Sequence, residues 1–249
     1  GKLLAEALIK LNHEVTVFNR KGTGPKGCLI IKGDRDVKWS IDFKEFDYVV
    51  DMCLYNLKQF KLIEPLLKQA NLKKYVFISS IASKIKSFGK YGIEKQQLED
   101  KIKNSTLPYI ILQPTYIIGK TDHSNRLAQY ITKISSDDKL SIQGKGDELI
   151  NFIDANDVCN IILRLLDSNL VRKEYELGCS ELTSLDDLIY RLSLIMNKVP
   201  KKTYYADTSP YANAQCFATN FKIKQAINYS FINFDTTLKE ICSSHENRS

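Results

Sequence analysis

Residues 73–115 read "KKYVFISSIASKIKSFGKYGIEKQQLEDKIKNSTLPYIILQPT". An apolar run, Tyr75 to Ile78, stops at Ser79-Ser80; helical spacing follows from Tyr91; a second apolar run fills 109–113. Short runs of β-branched and aromatic residues are strands, and the stretch between them has the length of a helix. Strand, helix, strand with short connections is the unit from which parallel sheets are built. The unit recurs outward along the first half of the chain. "KLLAEALIKLNH" (2–13) sets Leu3, Leu4, Ala7, Leu8 and Leu11 along one side of a helix, and "KQFKLIEPLLKQANL" (58–72) is helical around Pro65. "EVTVFN" (14–19), "GPKGCLIIKGD" (24–34) and "FDYVVDMC" (46–53) read as strands. The last is continuous in Val and Tyr, as a strand buried on both faces should be. The predicted fold is α/β, a doubly wound parallel sheet.

Beyond about residue 120 the pattern loosens. "SNRLAQYITKISSDD" (124–138) and "ANDVCNIILRLLDS" (155–168) are helical, separated by the glycine-containing "SIQGKGDELINFID". "SLDDLIYRLSLIMNK" (184–198) opens on Ser184, a good N-cap with acidic residues in the turn behind it. From "KTYYADTSPY" (202–211) onward the chain is polar and aromatic with weak periodicity. The predicted division is a dinucleotide-binding part over 1–120, rejoined by 150–168, and a smaller substrate lobe drawn mainly from 121–249.

Composition narrows the function classes. At 43% hydrophobic and 26% charged residues, the 249-residue chain is globular, and its apolar runs are too short to span a bilayer. The net charge of +7 comes from lysines spread along the chain, without an arginine tract, so solvated lysines are favoured over a nucleic-acid surface. Six cysteines lack CxxC spacing, and His13, His123 and His245 lack acidic or cysteine partners at ligand spacing. No metal site is expected, and the cysteines fit a reducing, cytoplasmic setting.

Gly1 stands directly before a helix, where the last glycine of a G-x-x-G-x-x-G dinucleotide loop would stand, with the helix N-terminus behind it for a pyrophosphate. On that reading the first strand and most of the glycine loop precede Gly1 and are missing here. The fragment is then expected to be poorly stable and to hold a cofactor poorly.

Tyr91 and Lys95 lie one helical turn apart. A phenol is a poor base at neutral pH, and an ammonium beside it favours the phenolate. It then exchanges a proton with a substrate hydroxyl or ketone. Ser80, at the carboxyl end of a strand, is placed to hydrogen-bond the substrate oxygen, since open α/β sheets bind ligands at that edge. Either motif alone is weak; the order strand, serine, short loop, tyrosine, lysine carries the signal.

That order, over nearly the whole chain, resembles the extended short-chain dehydrogenase/reductases, in particular the NAD-dependent epimerase/dehydratase family. "VTVFNRKG" resembles the second strand of its Rossmann fold, ending at a ribose-binding position occupied by Asn19 and Arg20. "KGDRD" (32–36) resembles the acidic turn whose Asp34 would contact adenine, with Arg35 beside it. "FDYVVDMCLYN" is similar to the fourth strand and its exit over the cofactor at Met52 and Cys53; "YVFISS" and "YGIEK" match the strand with the serine and the active-site pair. "LPYIILQPTYIIG" is similar to the sixth strand, where Pro114 and Thr115 would flank the nicotinamide amide, and "INFIDANDV" (150–158) to the segment returning from the substrate lobe. The resemblance implies Ser80, Tyr91 and Lys95 as catalytic residues, and Gly1, Asn19, Arg20, Asp34, Arg35, Met52, Cys53, Lys95, Pro114 and Thr115 as cofactor-binding ones. It leaves monomer and homodimer open.

Departures sharpen the expectation. The link from Ser80 to Tyr91 is short, and "IASKIKSF" lacks the family's aromatic-glycine turn. Ile81-Ala82 stand where 4,6-dehydratases carry an acid pair. An arginine after the second strand suits a 2′-phosphate, so NADP is expected ahead of NAD. The expected activity is an NAD(P)-dependent oxidoreductase or epimerase acting on a secondary alcohol or ketone, of a sugar or nucleotide sugar. Two rivals stand beside it: an oxidoreductase-like scaffold that binds RNA, as in the branch containing the chloroplast stem-loop-binding proteins, and an inactive remnant.

Overall fold

The computed structural model describes residues 1–37, 39, 41–120, 122, 126–206 and 216–246, so His123 lies outside the described residues. Four parallel strands form the main sheet: β3 (Tyr48–Asp51), β4 (Lys74–Ile78), β5 (Tyr109–Pro114) and β9 (Lys173–Leu177), in the order β3-β4-β5-β9. A separate parallel pair, β1 (Thr16–Asn19) and β2 (Leu29–Lys32), runs in register from Thr16 opposite Leu29 to Asn19 opposite Lys32. The expected α/β architecture is present.

Strand side chains alternate between faces, and β4 and β5 separate cleanly by that rule. Tyr75, Phe77, Tyr109 and Ile111 pack with Phe60, Ile63 and Leu67 of α2 (Leu57–Gln69) and Leu98 and Ile102 of α3 (Gly89–Lys103). Val76, Ile78, Ile110 and Leu112 turn the other way, onto Leu4 of α1 (Lys2–Lys10), Ile161, Ile162 and Leu165 of α5 (Ala155–Asp167), and Ile223 of α7 (Phe221–Ile227). Helices thus cover both faces. Each large apolar side chain fully buried in this way contributes about 1.5–3 kcal/mol.

Strand β3 departs from the sequence reading. Tyr48, Val49 and Val50 are only half-buried, because β3 pairs with β4 alone and forms the outer strand of its sheet. Its Val-Tyr run reflects packing at an edge rather than enclosure.

A third core lies beyond the main sheet. The parallel pairs β6 (Tyr116–Ile118) with β8 (Phe152–Asp154) and β7 (Lys139–Gln143) with β10 (Lys201–Tyr205) join α4 (Ala128–Ser135), α6 (Leu185–Met196) and α8 (Phe234–Glu246). Together they enclose residues such as Ile131, Ile142, Phe152, Leu192 and Leu238. Ser184 caps α6, accepting from Asp187 N, as its sequence position led us to expect. Among the described residues no helix is long and apolar enough to cross a membrane.

Candidate active site

Parallel pairing brings the carboxyl ends of β3, β4 and β5 to one edge of the main sheet and those of β1 and β2 to one edge of their own pair, and contacts between the exits bind the two together. Asn19 O accepts from Gly33 N at 3.1 Å, joining the exits of β1 and β2. The Arg35 guanidinium then reaches the end of β3, donating to both carboxylate oxygens of Asp51 at 2.8 and 2.7 Å. Asp51 also accepts from Tyr75 Oη at 3.2 Å and from Cys53 N at 3.2 Å. Beside this pair, Asp36 accepts from Gln59 Nε2 at 2.8 Å, and Gln59 Oε1 accepts from Tyr55 N at 2.9 Å. The 34–36 turn and the 52–56 loop therefore form one braced ledge.

Lys95 meets that ledge from α3. Only 2% exposed, its ammonium donates to Leu54 O at 2.7 Å and to Ile78 O at 3.2 Å, the second at the end of β4. The rings of Phe77, Tyr55 and Tyr91 lie 4.9, 5.3 and 6.0 Å from Nζ. Burial pulls this ammonium down from 10.5 to about 8, opposed chiefly by the Asp51 carboxylate. It thus stays protonated at neutral pH. Tyr91, one turn earlier, is 43% exposed.

Ser79 and Ser80 part company at the end of β4. Ser79 turns inward and donates to Glu99, whose other oxygen accepts from Gln113 Nε2 at 2.8 Å. Ser80 stays half-exposed; its Oγ accepts from Ala82 N at 3.2 Å and caps the 3₁₀ turn Ile81–Lys84. The short link to Tyr91 is made by that turn, a second one (Lys86–Phe88), and Gly89 at φ +55°. Gly92 lets the first turn sit directly on α3, since a Cβ there would lie 2.5 Å from Ala82 O. A missing aromatic-glycine turn is thus replaced by close backbone packing.

The remaining predicted residues occupy the same edge in different states. Gly1 caps α1 without a side-chain bond, and a Cβ on it would lie 3.8 Å from Met52 Sδ. Asn19 closes its own turn, accepting from Gly22 N at 2.8 Å and donating to Thr23 O at 2.7 Å, while Arg20 is exposed. Asp34 accepts from Asp36 N at 3.0 Å; Cys53 is exposed. Thr115, just past Pro114, is buried and donates its N–H to Leu177 O at 3.0 Å. The sequence reading passed over Asp51, Gln59, Glu99 and Gly92. Asp51 left a trace, as the one charge inside the apolar run 48–53.

Comparison with known proteins supplies the family. The model of the NAD dependent epimerase/dehydratase family matches residues 1–178. The chain belongs to that family. By membership in the epimerase/dehydratase family it is an enzyme. The UDP-glucose 4-epimerase of Thermotoga maritima, solved with UDP-glucose, superposes with a TM-score of 0.83 at 15% identity, covering 100% of this chain and 96% of that one. The UDP-glucuronic acid 4-epimerase of Bacillus cereus, solved with UDP-glucuronic acid and NAD, gives 0.80 at 18% identity with the same coverage. The dTDP-glucose 4,6-dehydratase of Bacillus anthracis, solved with NAD, gives 0.82 at 14%, covering 99% of this chain and 93% of that one. At these identities the likeness is one of fold. No curated protein sequence matches the chain.

The residues present fit a nicotinamide coenzyme. The start of α1 offers backbone N–H groups with no side chain capping them, and Lys95 has two of its three N–H bonds engaged. Among the described residues no group of three or more His, Cys, Asp or Glu is placed to hold a metal ion.

Proposed function

We propose that the chain is an NAD(P)-dependent oxidoreductase or epimerase acting on a secondary alcohol or ketone of a sugar or nucleotide sugar. The observation that carries this reading is the placement of half-exposed Tyr91 and buried Lys95 on one helix face, beside the Ser80 turn, at the carboxyl ends of β3 and β4. When bound, a nicotinamide coenzyme supplies two-electron oxidation and reduction of the substrate carbon. Tyr91 moves the proton at the substrate oxygen, Ser80 orients that oxygen, and Lys95 keeps a positive charge beside the phenol and offers its remaining N–H to a ribose hydroxyl. Gly1 and the α1 N-terminus would hold the pyrophosphate, the 34–36 turn the adenine side, and Pro114 with Thr115 the nicotinamide side. In this division residues 1–120, rejoined by 150–168, bind the coenzyme, and 121–249 are otherwise mainly the substrate lobe.

Structural neighbours solved with UDP-sugars support the substrate class, and neighbours solved with NAD support the coenzyme class. Exposed Arg20 supports NADP as the better coenzyme. Tyr91→Phe is expected to lower turnover by about 10²-fold or more with coenzyme affinity kept, measured by calorimetric titration beside a nucleotide-sugar assay. Undiminished turnover removes the reading. The RNA-binding alternative predicts instead an affinity for RNA that falls steeply with salt, without coenzyme-dependent turnover.

A further inference from the structure

Lys95 is buried among more charge than the reaction uses. Facing it are Asp51, Cys53 and Tyr55 from β3 and the loop beyond, Arg35 from the 34–36 turn, and Tyr91 and Glu99 from its own helix. Of these, Asp51 and Arg35 form a two-bonded ion pair, with both side chains largely shielded from water. A buried pair of this kind gives little net stability compared with a well-packed apolar pair. Its position points to another use. Asp51 holds the second N–H of the 52–56 loop, that of Cys53, and the next residue, Leu54, supplies the carbonyl on which Lys95 rests.

We propose that Asp51 and Arg35 are positioning residues for Lys95: Arg35 fixes the Asp51 carboxylate, which holds the loop through Cys53 N and so keeps the Leu54 carbonyl in reach of the ammonium. Tyr75, whose buried hydroxyl is held well above its ordinary value by burial and by the neighbouring carboxylate, stays protonated and donates to Asp51, fixing its orientation. The two members act on Lys95 with opposite sign. Asp51 favours the charged ammonium; Arg35 disfavours it, in company with burial. A merely structural brace would not divide in this way, because removing either half would loosen the ledge alike.

The proposal rests on the reading of Lys95 as the active-site lysine for its functional consequence, but its test does not need catalysis. In the full chain with ¹³C-labelled lysine, the Lys95 Cε signal is followed against pH and assigned by its loss in Lys95→Met. Asp51→Asn is expected to move the Lys95 titration down by about one pH unit or more, a tenfold loss of proton affinity. Arg35→Gln is expected to move it up. The double variant Arg35→Gln/Asp51→Asn, which keeps an uncharged pair of similar size should a single variant fail to fold, is expected to titrate below the native protein. An unmoved titration in the folded Asp51→Asn or double variant, or shifts of the same sign in the two single variants, would overturn the proposal. A moved titration with an unmoved alkaline limb of turnover supports the positioning and removes the catalytic role of Lys95 instead.

Discussion

Lys95 brings a charge into the interior on the strength of two carbonyls, Leu54 O and Ile78 O. Burial lowers its titration to about 8 from 10.5, so between these values the unfolded chain binds more protons than the folded one. Stability therefore rises with pH through that window, and below about 8 the protonated lysine weighs against folding. Relative to Lys95→Met, the native chain is expected to gain up to roughly 3 kcal/mol as pH climbs from about 8 toward 10.5, read by urea denaturation at stepped pH. In the proposed reaction the same titration appears as an alkaline fall of turnover centred near pH 8. That Ser80, Tyr91 and Lys95 come together was legible in the sequence, because the order strand, serine, short loop and helical spacing sets their placement. The Arg35–Asp51 pair was not. Its members stand 16 positions apart, on the exits of strands in different sheets, and no pattern in the chain fixes how those exits meet.

At the level of elements, α3 is held to the sheet by contacts of different kinds. Its buried Glu99 accepts from Ser79 at the end of β4 and from Gln113 on β5, while Gly92 receives the Ile81–Lys84 turn against bare backbone. Gly92→Ala improves intrinsic helix propensity by about 1 kcal/mol, yet its methyl would meet Ala82 O at 2.5 Å and push the Ser80 turn away. Turnover is expected to fall by about 10²-fold for each ångström of displacement, with helix content by circular dichroism unchanged. Unchanged turnover would detach the Ser80 turn from the chemistry. Strands β4 and β5 were readable from sequence because both faces are buried and the apolar run is unbroken. Strand β10 escaped notice because Lys201 to Tyr205 are exposed or half-buried throughout, so neither alternation nor a continuous apolar run marks it.

On the scale of the whole molecule, the third core is joined to the main sheet by a buried side chain as well as by backbone bonds. Asn151 donates to Cys179 O at 3.0 Å and to Ala218 O at 2.9 Å, and accepts from Ala218 N at 3.1 Å, joining the approach to β8, the exit of β9 and the segment before α7. Asn151→Ala leaves these backbone groups unpaired in the interior. It is expected to destabilise by about 2–4 kcal/mol, seen as a lower midpoint in thermal or urea unfolding. The looser periodicity of the second half has a physical basis: α4, α6 and α8 pack in a core with short two-stranded sheets, so the pattern is diluted by exposed residues. Every named strand pairing among the described residues is parallel, and the partners of β5–β9 and β7–β10 lie about sixty residues apart. No hairpin among them can zip up locally. Assembly must close long loops before any ladder rewards it, so refolding is expected to be slow for a domain of this length, with the chain exposed to aggregation until β9 docks.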